Sequence, residues 1–158
     1  MKKILNKNLT LFYTSNFPKK FSYNSTKKHT VTIGIGGNIG NTKTIFDKLL
    51  LYLRNDTRFD LLITSPLLLN PPFGFLEQNH FLNGIIALKT NLAPNDFLKN
   101  MQRLEKRLGR KRSFQDAPRT LDIDIIFFDD KKINTQNLII PHKDWANRES
   151  VIIPLKHL

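Results

Sequence analysis

The sequence contains no cysteine among its 158 residues. That excludes disulfide staples, thiolate metal sites and a cysteine nucleophile, and it is compatible with a cytosolic protein. Long apolar runs are also missing, and none approaches the ~20 residues of a membrane-spanning helix. The opening MKKILNKNLTLFYTSNF carries the positive end of a signal peptide, but Asn6, Lys7 and Asn8 break its apolar stretch. Acidic residues are scarce: 13 Asp and Glu face 25 Lys and Arg, a net charge of +12. None of the acidic residues falls within residues 1–30, which hold seven lysines and so supply +7 of that charge. Such an excess favours anionic partners: nucleic acid, acidic lipid or phosphorylated small molecules.

What is present fits one domain with a buried core, at 40% hydrophobic and 24% charged residues. Residues 1–30 read as a basic N-terminal arm, extended or loosely docked through a few aromatics, because they show no sustained period. Residues 31–158 read as the domain itself. Val31–Ile35 has the apolar run of a buried strand, which the glycines from Gly34 to Gly40 end in a tight turn. Asn41 or Thr42 can cap a helix bearing Ile45, Phe46, Leu49, Leu50 and Leu53 on one face. Two antiparallel strands follow, Phe59–Ser65 and Phe81–Leu88, separated by the rigid Asn70-Pro71-Pro72-Phe73-Gly74 loop. Pro94 opens a second helix that Gly109 stops. A basic loop, Arg110–Arg119, leads to a strand over Leu121–Phe128 and the turn Asp129–Lys132. Short strands and loops complete the chain, with apolar runs at Leu138–Ile140 and Val151–Ile153. The resulting β-α-β-β-α-β order predicts an α+β, ferredoxin-like antiparallel sheet with helices on one face, extended by short C-terminal strands.

The sharpest chemical signal is Leu121-Asp122-Ile123-Asp124-Ile125-Ile126-Phe127. On a strand, residues two apart share a face. Asp122 and Asp124 therefore stand together, with Ile123, Ile125 and Phe127 expected on the other side. Two adjacent carboxylates in an apolar strand repel each other and need positive charge. The strand itself leaves two sources open: Mg²⁺ with a phosphate substrate, or nearby arginines. Residues 103–119 hold seven basic side chains against Glu105 and Asp116, and guanidinium forks match phosphate oxygens. The glycine segment is no P-loop, since no Gly-Lys-Ser/Thr follows. It also misses the dinucleotide spacing, because Ile39 stands where the last glycine belongs. His142 is a lone histidine near Arg148.

In order along the chain stand Gly36-Gly37-Asn38-Ile39-Gly40, Asn70-Pro71-Pro72-Phe73-Gly74, Phe81-Leu82-Asn83, Gln102-Arg103-Leu104-Glu105 and Gly109-Arg110-Lys111-Arg112. Ala117-Pro118-Arg119-Thr120-Leu121-Asp122-Ile123-Asp124, Ile140-Pro141-His142, Asn147-Arg148 and Pro154-Leu155 follow. This series resembles the 6-hydroxymethyl-7,8-dihydropterin pyrophosphokinases of folate biosynthesis, from about Gly34 to Leu155. The resemblance implies transfer of the β,γ-pyrophosphoryl group of ATP to the pterin hydroxymethyl, leaving AMP. It implies two Mg²⁺ ions on Asp122 and Asp124, with Arg110 and Arg119 beside them as the catalytic group. Arg110, Arg112, Arg119, His142 and Arg148 would bind the triphosphate, and Gln102, Glu105 and Ile125 would help fix the nucleotide. Asn70, Pro71, Pro72, Phe73, Phe81, Asn83 and Asp122 would form the pterin pocket. The chain departs from the family pattern at Ser150, where an aromatic usually covers the second pterin face, at Gly37, where a serine is common, and in a short Arg112–Arg119 loop. The expectation is a monomeric cytoplasmic enzyme whose partners are ATP and the pterin, not nucleic acid or membrane. The alternatives are a nucleic-acid-binding module on the same fold, disfavoured by the absence of aromatic motifs on the central strands, and an inactive pterin-binding relative.

Overall fold

The computed structural model describes residues 1–158 except Ser22, Tyr23, Phe73, Arg112 and Ser113. Phe73 and Arg112, two of the expected site residues, therefore lie outside the described residues.

The arm supplies β1 (Lys2–Ile4), β2 (Thr10–Phe12) and β3 (Lys19–Lys20). Then come β4 (His29–Gly37), α1 (Thr42–Arg54), β5 (Phe59–Thr64), β6 (Leu67–Asn70), β7 (Phe81–Thr90), α2 (Pro94–Arg107) and β8 (Asp122–Phe128). The chain ends with β9 (Ile133–Asn134), β10 (Ile139–Ile140), a 3-10 turn (Trp145–Asn147) and α3 (Glu149–Lys156). One antiparallel sheet runs β1-β2-β6-β7-β4-β8; β5 also pairs β7, and β3 pairs β5. Among the described residues, no helix is long and apolar enough to cross a membrane.

Local chemistry accounts for the helix bounds. The Asn41 side chain accepts a hydrogen bond from the Thr44 amide and caps α1. Pro94 occupies the first turn of α2, and Gly109, at φ +100°, turns the chain after it. One face of the sheet packs these helices: Val31, Ile33, Ile35, Leu82, Ile86, Leu88, Ile123 and Ile125 meet Phe46, Leu49, Leu53, Phe97 and Met101. The other face holds a smaller cluster of Ile85, Ile126 and Val151, backed by Trp145, Phe127 and Leu155.

Four details differ from the sequence reading. The arm is paired into the sheet: β2 lies against β6, and β3 against β5. Leu9, Leu11 and Phe17 are buried, and Phe17 joins the helix-face core 6.0 Å from Phe46. The glycines do not end the first strand of the domain, because β4 continues through Gly37. Phe127 faces away from the helices. A register shift opposite Thr32 and Ile33 inserts one extra residue in β8, so parity flips after Ile125: Phe128 enters the core and Phe127 meets Trp145 at 5.0 Å. Val151–Ile153 is helical, within an α3 that accommodates Pro154.

Candidate active site

The face of the sheet opposite α1 and α2 is unusually bare at its centre. Gly34 and Gly36 alternate with Ile33 and Ile35 along β4, so the isoleucines go to the core and the glycines to this face. A Cβ at Gly36 would lie 2.5 Å from Asn83 Oδ1, and one at Gly34 would lie 3.3 Å from Ile126 Cδ1. The glycines thus keep open the floor of a cavity lined by Asn70, Phe81, Asn83, Asp116, Arg119, Asp122, Asp124, Ile126, Arg148, Ser150 and Val151.

Asp122 and Asp124 face this cavity from β8, opposite Gly36 and Gly34 in register. Arginines reach one of them. Arg110 Nη1 lies 2.7 Å from Asp122 Oδ1, and Arg119 Nη1 lies 3.3 Å from Asp122 Oδ2. Asp124 makes no hydrogen bond or ion pair among the described residues. Burial first, and then the Asp122 charge, raise its carboxyl to about 7, while Arg148 and Arg110 offset part of that cost. The pair therefore remains short of positive charge on the Asp124 side. Adjacent hard oxygen donors with unmet charge suit a divalent cation such as Mg²⁺, which takes one or two carboxylates and fills its remaining positions from phosphate and water.

Glu105 explains how α2, on the far side of the sheet, reaches the site. Strand β8 is an edge, and the buried Glu105 carboxylate takes the place of a neighbour by accepting the Ile123 amide at 2.7 Å. The same oxygen lies 2.6 Å from Arg110 Nη1, so Arg110 bridges Glu105 and Asp122. Burial raises the Glu105 carboxyl above its ordinary value, with the Ile123 amide and Arg110 opposing. Ile125 buries its side chain in the helix-face core. Two residues beyond Ile123, its backbone amide and carbonyl fall on the same outer edge.

Three loops converge on the cavity through Asn38 and Gln78. Asn38 exchanges backbone and side-chain bonds with Arg119, at 2.9 and 3.0 Å, and donates to Gln78 and to the Asn79 carbonyl. Gln78 in turn donates to the Phe75 and Asp116 carbonyls. Arg119 is held at its backbone while its guanidinium spans Asp122 and the Phe81 ring, 5.4 Å from the ring centroid. Asn83 donates to Asn70 Oδ1 at 2.6 Å.

His142 is half-buried; burial, and then Arg148, lower its pKa. Its Nδ1 accepts the Asp144 amide at 3.2 Å, which places the ring proton on Nε2. Arg148 lies 3.3 Å from Asp144 and forms the N-terminal boundary of α3, which brings Ser150 and Val151 to the cavity wall.

The structure thus gathers Asn70, Phe81, Asn83, Arg119, Asp122, Asp124 and Arg148 around one cavity, with Arg110 behind Asp122. Gln102 is not among them. It lies exposed in a groove with Asn95, Lys99 and Thr135–Asn137. Pro71 and Pro72 directly follow Asn70, the last residue of β6, and are not among the residues that line the cavity. Sequence reasoning missed Gly34 and Gly36 as site residues, and took Asn38 only as part of the Gly37–Asn41 loop expected to close over substrates. The alternation of the glycines with Ile33 and Ile35 was the available signal, whereas the loop ties of Asn38 have no local signature.

Comparison with known proteins identifies the family. Residues 32–158 match the family model described as 7,8-dihydro-6-hydroxymethylpterin-pyrophosphokinase (HPPK). Three curated relatives share the name 2-amino-4-hydroxy-6-hydroxymethyldihydropteridine pyrophosphokinase. The Helicobacter pylori protein is 39% identical over 146 residues, 91% of this chain and 87% of its own. The Campylobacter jejuni protein is 41% identical over 145 residues, 91% and 92% respectively. The Bacillus subtilis protein is 33% identical over 126 residues, 80% and 75% respectively. With most of its length matched by the family model and by full-length relatives, the chain belongs to the 7,8-dihydro-6-hydroxymethylpterin-pyrophosphokinase family.

Proposed function

We propose a residue-level account of how this chain carries out its family's reaction. It is a pyrophosphokinase of folate biosynthesis, transferring pyrophosphate from ATP to 6-hydroxymethyl-7,8-dihydropterin. The observation that carries the residue assignment is the Asp122–Asp124 pair, short of positive charge at Asp124, in the same cavity as Phe81, Asn83 and Arg119.

In this reading Asp122 and Asp124 hold two Mg²⁺ ions, which supply charge neutralisation at the triphosphate. The pterin lies over the Gly34–Gly36 floor. A flat heterocycle with amide-like edges suits the Phe81 face and the Asn70 and Asn83 amides. Pro71 and Pro72 complete the pterin pocket beside Asn70, to which the family resemblance also assigns Phe73. Arg110 and Arg119, which meet Asp122 in the ligand-free chain, turn their guanidinium forks to phosphate oxygens once ATP is present. Arg112, Arg148 and the Nε2–H of His142 add donors along the triphosphate. The outer-edge amide and carbonyl of Ile125 face the nucleotide base, with Glu105 bracing that edge and Gln102 beyond it. Catalysis is then positioning plus electrostatic stabilisation, as phosphoryl transfer requires. We infer a monomeric, cytoplasmic enzyme, a reading supported by the fact that every residue assigned above belongs to this one chain and both substrates are small molecules. Incubation with the pterin, ATP and Mg²⁺ should yield AMP and the pterin diphosphate. ADP as product, or no turnover, would overturn the assignment.

A further inference from the structure

No described residue of the N-terminal arm lines the pterin cavity, yet the arm bears on it. Leu9 and Leu11 are buried with Leu68 of β6, and Ile153 of α3 packs against this cluster. On another side of α3, Val151 and Leu155 pack on Ile85 and Ile126. The helix is therefore held at two places, one on the central strands and one on the cluster that β6 shares with the arm. Its first turn carries Ser150 and Val151, and Arg148 precedes it; all three line the cavity. An eight-residue helix with an internal proline has little stability of its own, so its position depends on what it packs against. The neighbouring strand residue Phe12 faces the other way, where Lys43 of α1 lies 4.3 Å from its ring centroid, so β2 is fixed from both faces.

Resting on the function proposed above, we propose that Leu9 and Leu11 are positioning residues that set the pterin-facing wall of the site through Ile153 and α3. The arm thereby tunes affinity for the pterin through Ser150 and Val151, while Arg148, which precedes the helix, keeps its separate tie to Asp144 and the groups on β8 stay in place.

The test compares Leu11→Ala with Phe17→Leu, which trims the arm's other buried anchor against Phe46 and has no path to α3. Leu11→Ala should raise KM for the pterin about fivefold or more, with KM for ATP within about twofold of the parent. Phe17→Leu should lower the melting temperature and leave both KM values in place. Ile153→Ala should mimic Leu11→Ala, the double variant should be no worse than either single one, and Leu11→Met should restore the parent value. Leu11→Val provides the same reading should Leu11→Ala not fold. A second readout is independent of turnover. Trp145, the sole tryptophan, sits in the turn just before α3 and packs on Phe127. Its emission should shift in Leu11→Ala and not in Phe17→Leu. Equal stability losses with an unchanged pterin KM and unchanged Trp145 emission would reduce the arm to a structural role and overturn the proposal. Absence of AMP formation by the parent protein would instead sink the function, and the Trp145 shift would still decide the helix placement.

Discussion

The two faces of the same three strands differ in almost every physical respect. Toward α1 and α2, β4, β7 and β8 present Ile33, Ile35, Ile86, Leu88, Ile123 and Ile125, all buried. Toward α3 they present Gly34, Gly36, Asn83, Asp122 and Asp124, partly open around a cavity. Period-two alternation alone produces both surfaces from shared residues of sequence. The core face is stabilised by burial, while the site face costs stability, because its carboxylates are crowded and its glycines contribute no packing. Fold and chemistry can therefore be altered separately, by substituting neighbouring residues of a single strand.

The largest expected effect is on the site face. Asp122→Asn or Asp124→Asn keeps the shape and removes a charge, so turnover at saturating Mg²⁺ should fall on the order of 10²-fold or more. Near-parental rates in either variant would dismiss the metal assignment. Asp124→Asn should at the same time stabilise the metal-free protein. The folded-state value of Asp124 is raised to about 7, so the folded chain binds its proton more tightly than the unfolded chain does. Stability from this group is therefore lost as pH rises from about 4 to about 7, and the penalty is complete above that window. In chelator, the melting temperature of Asp124→Asn should exceed the parent's by at least about 3 °C at alkaline pH and by little near pH 4. An equal gap at both ends would contradict the crowding of the two carboxylates.

On the core face the expected pattern reverses. Ile33→Ala, one residue from the cavity floor, should cost about 2–5 kcal/mol of stability and leave kcat per folded molecule near parental. Thermal melts together with active-site titration check this, and a drop in kcat matching the Asp variants would erase the distinction between the faces. Gly36→Ala acts on the site face again. Its Cβ would displace the Asn83 amide, a movable side-chain terminus, from Asn70. The pterin dissociation constant should rise about tenfold, the loss of one hydrogen bond, with a small change in melting temperature. Unchanged pterin affinity would remove Asn83 from the pocket.

Much of this arrangement was legible in the sequence where its cause is local. The helical period, the Asn41 cap, Pro94 and Gly109 placed α1 and α2, and the spacing of Asp122 and Asp124 placed both on one face. What escaped depends on distant partners. Strands β1, β2 and β3 are two or three residues long, too short to show a period, and they exist because β6 and β5 offer them edges. The bulge that turns Phe127 away from the core arises in the pairing of β8 with β4, not in β8 alone. An apolar run of three residues, Val151–Ile153, reads as strand or helix until Ile85 and Leu68 supply surfaces on which α3 can lie. Glu105 appeared as a nucleotide contact, yet its described bonds are to an edge-strand amide and Arg110, a role that needs the sheet order to be known.

The smallest expected effect bears on whether the site face is complete. Ser150 lines the cavity from the first turn of α3, at the position where the family pattern usually has an aromatic. Trp145, the nearest large ring in sequence, packs on Phe127 and does not line the cavity. In the proposed pose, a pterin resting on Phe81 would meet the Ser150 hydroxyl on its other side. Ser150→Phe should add roughly 0.5–1.5 kcal/mol of stacking, or about 2–13-fold tighter pterin binding, with little effect on stability because Ser150 makes no hydrogen bond among the described side chains. Calorimetric titration of the pterin in the presence of Mg²⁺ and a non-hydrolysable ATP analogue measures it. Weaker binding in Ser150→Phe, together with a collapse of affinity in Trp145→Ala, would move the second stacking surface to Trp145. That outcome would require α3 to shift when ligand binds, because the Trp145 ring now lies edge-on against Phe127.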